Sequence, residues 1–137
     1  MKRILYEELE MDYNDNGTIF YLVDGQLFSG IAYEIYPNGK LKSESEYQDG
    51  LEKPYLKEWY SNGKLKYEQI EEEGVVIKNK EWFESGTLKK EMVHTLGFCI
   101  FLKEWNASGH LIEEFEMTVN HPSFLSLQEA KAKFDNR

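Results

Sequence analysis

Four glycines constrain this chain more than any other feature. Gly39, Gly63, Gly86 and Gly109 stand 24, 23 and 23 residues apart, in YPNGKLKSE, YSNGKLKYE, FESGTLKKE and NASGHLIEE. Two residues after each lies a leucine: Leu41, Leu65, Leu88 and Leu111. Five after each lies a glutamate: Glu44, Glu68, Glu91 and Glu114. Four before each lies a large apolar residue (Ile35, Trp59, Trp82, Trp105), and five before each another glutamate (Glu34, Glu58, Glu81, Glu104). A second glycine series, Gly25, Gly50, Gly74 and Gly97, marks the other end of each unit. YNDNGTIFYLVDG, residues 13–25, reads as a degenerate unit ahead of the four. Repetition at this period is the signature of a repeat architecture.

A unit of this length is too short for two helices and their connections. Asn38-Gly39 and Asn62-Gly63 can supply the positive φ of a type I′ turn, and Ser85-Gly86 and Ser108-Gly109 are weaker versions. Each unit therefore reads as strand, tight two-residue turn, strand, then a looser turn at the second glycine. The expected fold is mainly β: a meander of antiparallel hairpins. With Asn62-Gly63 as the loop, Tyr60 faces Leu65, Trp59 faces Lys66, Glu58 faces Tyr67 and Lys57 faces Glu68. Partners share a face and neighbours alternate. One face then carries Tyr36, Tyr60, Phe83 and the leucines. The other carries Ile35, Trp59, Trp82 and Trp105, with Lys42, Lys66 and Lys89 over the rings. In other units the same arithmetic sets Tyr33 opposite Glu44, Lys80 opposite Glu91 and Lys103 opposite Glu114, which gives the repeated glutamates a structural role.

The ends depart from the repeat. In NHPSFLSLQEAKAKFDNR, Pro122 breaks the chain, Ser126 and Glu129 have capping-box spacing, and Leu127, Ala130 and Phe134 share a helical stripe. A C-terminal helix over about 126–134 is expected, capping the sheet as terminal elements do in repeat proteins. At the other end KRILYEELEMDY reads as a strand or a short helix, with strand preferred. The 137 residues suggest one domain: an N-terminal cap or degenerate repeat over 1–24, four repeats over 25–117, and a helical cap over 118–137.

Composition narrows function mostly by exclusion. The net charge of −9 would repel phosphate backbones and anionic lipid leaflets, so neither nucleic acid nor membrane is the expected partner. It would steer a basic protein in. The start MKRILYEELE does not read as a signal peptide, and no stretch approaches the length of a membrane helix, so a cytoplasmic location is expected. The single cysteine, Cys99 in GFCIF, reads as a small buried hydrophobe and excludes a disulfide framework. His94, His110 and His121 lack metal-ligand spacing, and no phosphate loop, dinucleotide fingerprint or nucleophile elbow is present. No catalytic residue, metal or cofactor is expected, and the chain does not read as an enzyme. What remains is a repeated surface rich in aromatics, the residues that dominate interface hot spots. Its candidate protein-binding residues are Tyr36, Tyr60, Tyr67, Phe83 and Glu58, with Glu71, Glu72 and Glu73 as an acidic tip before Gly74.

The unit WY-x-x-G-x-L-x-x-E resembles the bacterial variant of the membrane occupation and recognition nexus (MORN) repeat over residues 25–117. KEWYSNGKLKYE is the closest to that pattern, EIYPNGKLKSE and KEWFESGTLKKE follow, and the fourth unit departs at Asn106 and Ile112. The resemblance implies stacked β-hairpins in an extended curved sheet. It also implies a non-enzymatic protein-binding role, since many small proteins of this variant serve as antitoxins or immunity proteins for a cognate toxin. The partner would then be a basic toxin domain whose active site is blocked. The alternative is a scaffold, the role of the better-known eukaryotic members, or a self-assembling module that forms homo-oligomers, since a meander leaves an open edge strand that invites pairing with another copy.

Overall fold

The computed structural model describes residues 2–72 and 74–136. These divide into two compact units, residues 1–68 and 69–137. The fold is mainly β, as the glycine register predicts. Its strands are β1 (Arg3–Leu5), β2 (Glu10–Tyr13), β3 (Ile19–Val23), β4 (Gln26–Leu27), β5 (Gly30–Ile35), β6 (Leu41–Gln48), β7 (Leu51–Trp59), β8 (Leu65–Glu72), β9 (Val76–Trp82), β10 (Leu88–Thr95), β11 (Phe98–Trp105) and β12 (Leu111–Glu116). One helix, α1, spans Phe124–Asp135. The hydrogen-bonded order is β1-β5-β6-β7-β8 in the first unit and β8-β9-β10-β11-β12 in the second, with the sheet open. No described helix is long and apolar enough to cross a membrane.

The two turn series have the reverse of their expected geometries. At the first series the Tyr36 amide donates to the Lys40 carbonyl at 2.8 Å, and the Gly39 amide to the Tyr36 carbonyl at 2.9 Å. Tyr60–Lys64, Phe83–Thr87 and Asn106–His110 repeat this pair of bonds. Each loop is thus a β-turn closed by a glycine at positive φ: 84° at Gly39, 88° at Gly63, 97° at Gly86 and 86° at Gly109. That is a type I turn followed by a glycine bulge, not a two-residue type I′ loop. Asn38 and Asn62 are absent from the non-glycine residues with positive φ. They work through their side chains instead, Oδ1 accepting the amides of Lys40 and Lys64 at 2.9 Å. The tight two-residue loops lie at the second series. Val23 pairs with Gln26, Gln48 with Leu51 and Thr95 with Phe98. Asp24, Asp49 and Leu96 all have φ near 50°, each followed by a glycine near 80°.

The extra loop residue reassigns the faces. Ile35 pairs with Leu41, Trp82 with Leu88 and Trp105 with Leu111, so the leucines lie on the tryptophan face. A bulge then restores the expected register, because Glu34 faces Ser43 and Tyr33 faces Glu44. Hence the expected distal pairs Lys80–Glu91 and Lys103–Glu114 are correct, while the pairs nearest the turn are not. The lysines also change sides. Lys42, Lys66 and Lys89 lie over Tyr36, Tyr60 and Phe83 at 5.8, 5.7 and 5.7 Å.

The degenerate unit is a genuine rung folded elsewhere. Asn14 and Thr18 close the same loop, with Gly17 at φ 83° and Tyr13 paired with Ile19. Yet β2, β3 and β4 form a separate three-stranded sheet. The chain breaks at Phe28–Ser29, and β5 pairs with β1 in parallel. Gly30 is required there, because a Cβ on it would collide with the Lys2 carbonyl oxygen. The small sheet covers the first-unit core of Ile4, Phe28, Ala32 and Tyr47, with Leu9, Tyr21 and Val23 packed against it. Ala32 and Tyr47 lie, by alternation, on the tyrosine face. KRILYEELEMDY, expected as one strand, is β1, a 3-10 turn at Tyr6–Glu8 and β2.

In the second unit α1 begins at Phe124, two residues earlier than expected, with Ser123 at its N-cap and no side-chain capping bond. The expected capping box at Ser126 therefore does not form, and Ser126 lies in the first turn. The stripe is as expected: Leu127 is 3% exposed, and Ala130 and Phe134 are half-buried.

Candidate protein-binding surface

Of the predicted surface residues, the first unit holds Tyr36, Tyr60, Tyr67 and Glu58. All four are half-buried side chains on strands or strand ends. The Lys57–Glu68 ion pair, 3.6 Å, sets the register of their hairpin and puts Tyr67 on the face of Glu58. The tyrosine hydroxyls are not idle. The Tyr36 hydroxyl donates to the Trp59 carbonyl at 2.7 Å, one rung away. Asn38 Nδ2 donates to the Ser61 carbonyl at 3.0 Å, and Lys40 Nζ to the Asn62 carbonyl at 3.4 Å. Successive turns are thereby laced together at the open end of the tyrosine face. The second unit holds Phe83, half-buried under Lys89, and the exposed Glu71 and Glu72. Glu72 pairs with Lys78 at 3.0 Å. Glu73 lies outside the described residues.

The opposite face carries charge rows that hairpin arithmetic only half foresaw. In the first unit Glu44 faces both Tyr33 and Lys57. Its carboxylate accepts from Arg3 at 3.1 Å and from the Tyr55 hydroxyl at 3.1 Å. Burial, and then the hydrogen bond to Glu44, push the Tyr55 hydroxyl above the usual tyrosine pKa. In the second unit Lys80, Glu91, Lys103 and Glu114 form one row across four strands. Each strand supplies one sign and its neighbour the other. The row was legible within each hairpin, but not between hairpins, because that needs the register at the second turn.

No metal-binding group of three or more His, Cys, Asp or Glu occurs among the described residues. Cys99 is half-buried, not buried as expected, with Sγ 3.5 Å from the Phe101 carbonyl. His121 is tied into the C-terminal segment, its Nδ1 accepting from the Ser123 amide at 3.1 Å and its ring edge-on to Phe115 at 5.3 Å.

Sequence reasoning expected an open edge strand but named none of its residues as candidates; that edge is β12, where Leu111 is 48% and Ile112 60% exposed. Its signal lay in the repeat: the position four after each glycine is Ser43, Tyr67 and Lys90, but Glu113 in the last unit. Asn106, where earlier units have an aromatic, also has a local reason. Its Oδ1 accepts the amides of Ser108 and His110, each at 3.0 Å. Asn14 makes the equivalent bonds in the degenerate rung.

The family model described as MORN repeat variant matches two segments of the chain, residues 28–49 and 55–70. These are the rungs around Gly39 and Gly63, and over those segments the chain is similar to the MORN repeat variant. No curated protein and no solved structure matches it.

Proposed function

We propose that the chain is a non-catalytic protein-binding repeat module, and in its most specific form an antitoxin or immunity protein that blocks the active site of a basic toxin domain. The observation that carries this reading is the open end of the tyrosine face in the first unit. Tyr36, Tyr60 and Tyr67 stand there half-exposed beside Glu34 and Glu58, on rigid strands whose turns are bonded to one another. Pre-ordered aromatics give contact area at small entropic cost, and clusters of them make hot spots. The net charge of −9 would speed encounter with a cationic partner. The MORN-variant likeness of the same two rungs supports a binding role for them.

Co-expression with a basic protein encoded beside this chain's gene tests the reading. A complex is expected that weakens as salt rises and that restores growth where the partner is toxic. Tyr60→Ala should weaken it by ~2 kcal/mol or more, while Trp59→Ala should act mainly on stability. Failure of any neighbouring basic protein to form such a complex would sink the antitoxin reading. A complex that ignores Tyr60→Ala would move the site off this face.

A further inference from the structure

The charge rows of the second unit stop on the wrong sign. On the tryptophan face the row Lys80, Glu91, Lys103, Glu114 ends on an anion at β12. On the other face the row Glu81, Lys90, Glu104, Glu113 ends on two anions set directly opposite one another. Like charges in directly opposed positions oppose pairing. β12 is the last strand in the order, and no described strand pairs with its outer edge. Leu111, Ile112, Glu113, Glu114 and Glu116 are all exposed.

From this open edge and its unfinished rows we infer that β12 is a docking strand for an extended, cationic segment of a partner protein, added as one more strand. Two adjacent residues on an incoming strand point to opposite faces. Two consecutive lysines or arginines would therefore complete both rows at once, one against Glu114 and one against Glu113. Apolar residues beside them would cover Leu111 and Ile112. Main-chain bonds to the edge supply affinity, and the alternating side chains supply selection. A second copy of the chain is the wrong occupant. The antiparallel register that pairs all six residues of β12 with a copy sets Glu113 opposite Glu114 twice. An in-register parallel pairing sets every glutamate against itself. The inference shares with the proposed function only the sign of the partner's charge, and it concerns a different surface from the tyrosine face.

A synthetic peptide of alternating valine and threonine with two adjacent central lysines is the probe, and the same peptide with glutamates at those positions is the control. The full chain should bind the lysine peptide and not the control. New amide-exchange protection should fall on 111–116. Glu113→Gln should weaken binding by roughly fivefold, the loss of one cross-strand charge pair. Its thermal midpoint should stay level or rise, because the repulsion from Glu104 is relieved. Equal binding of both peptides, binding of neither, protection outside β12, or self-association of the chain through 111–116 would each overturn the inference. Tyr60→Ala should leave peptide binding unchanged, so failure here is separable from failure of the proposed function.

Discussion

In the first unit a folded-over hairpin covers the tyrosine face, and Tyr47 beneath it is 2% exposed. In the second unit the cover is α1, set against that unit's tryptophan face. Val76 and Thr95, which by alternation share the face of Trp82, line a cleft of about 270 Å³ with Lys131, Phe134 and Asp135 of the helix. The rungs beneath are the same sort of strand pair. A single-layer sheet offers two faces of similar chemistry, and the covering element decides which becomes interior. The first unit was given a core of rings: Tyr47 meets Tyr21 edge-on at 4.9 Å and Phe28 at 5.9 Å. Among the described residues of the second, Thr95 and Leu127 are buried, while β9 and β11 are half-buried throughout. Its cohesion must come more from cross-strand pairs than from burial.

The largest expected effect tests that contrast directly. Tyr47→Ala should cost ~4 kcal/mol, as deletion of a buried aromatic ring does. The loss should appear as faster amide exchange in β5 and β6, with β10 and β11 changing less. Equal loss of protection in both units would show that they unfold as one, and would break the comparison. The same ring gives a pH test. Burial, and next the charge of Glu52, raise the Tyr47 hydroxyl above its ordinary pKa of 10.0. The unfolded chain then releases this proton at lower pH than the native one. Stability is complete below about pH 10 and falls as pH rises above it. Tyr47→Phe should flatten that decline in urea titrations at pH 9 to 11.

Leu127→Ala comes next, at ~3 kcal/mol. It removes the one buried side chain of α1 and should loosen the C-terminal segment before the strands of its unit. Unchanged melting would mean that the helix contributes little to the second unit, and that its rungs stand on cross-strand pairing alone.

Charge rows sharpen the contrast further. The Glu44 side chain is 13% exposed, between Arg3 and the Tyr55 hydroxyl. Glu44→Gln should cost ~2 kcal/mol, in the range for hydrogen bonds to a charged group. Glu91 is half-buried and faces Lys80 and Lys103 on its two neighbouring strands. Glu91→Gln should cost below ~1 kcal/mol and lose most of that at high salt. Equal and equally salt-sensitive costs would erase the distinction between a hydrogen-bonded carboxylate and one held only by its place in a charge row.

Much of this was legible in the sequence, and the misreadings have specific causes. The glycine register located every rung, including the displaced one around Gly17. Hairpin arithmetic placed Lys80–Glu91 and Lys103–Glu114 correctly because a bulge cancels the extra loop residue. It failed near the turn, where Asn-Gly satisfies both a type I′ loop and a type I turn with a bulge. Pro37 was the available signal. A proline suits the first central position of a type I turn, whereas beside a two-residue Asn38-Gly39 loop it would lack the N–H that pairs with the Lys40 carbonyl. The β2–β3 hairpin stands outside the meander, and β1 occupies the place beside β5 in a parallel pairing between distant residues that no local pattern carries. The same limit hid the like-charge mismatch at the expected open edge, because the opposition of Glu113 to Glu104 exists only once both registers are known.

The smallest expected effect lies in the two-residue turns. Asp49 and Leu96 hold the same left-handed conformation, φ 50° and 49°, each before a glycine. Asp tolerates it because its short polar side chain can bond locally, whereas leucine gains nothing there and its Cβ crowds the following carbonyl. The strain costs ~1 kcal/mol. Leu96 also lines the cleft beneath α1, so its side chain has a use in packing that opposes the strain. Leu96→Asn should relieve the turn and give up that contact, for a net gain below ~1 kcal/mol in chemical denaturation. A net loss would mean that contact with the helix outweighs backbone strain. Leu96 would then be the residue by which the second unit holds its cover, the counterpart of Tyr47 in the first.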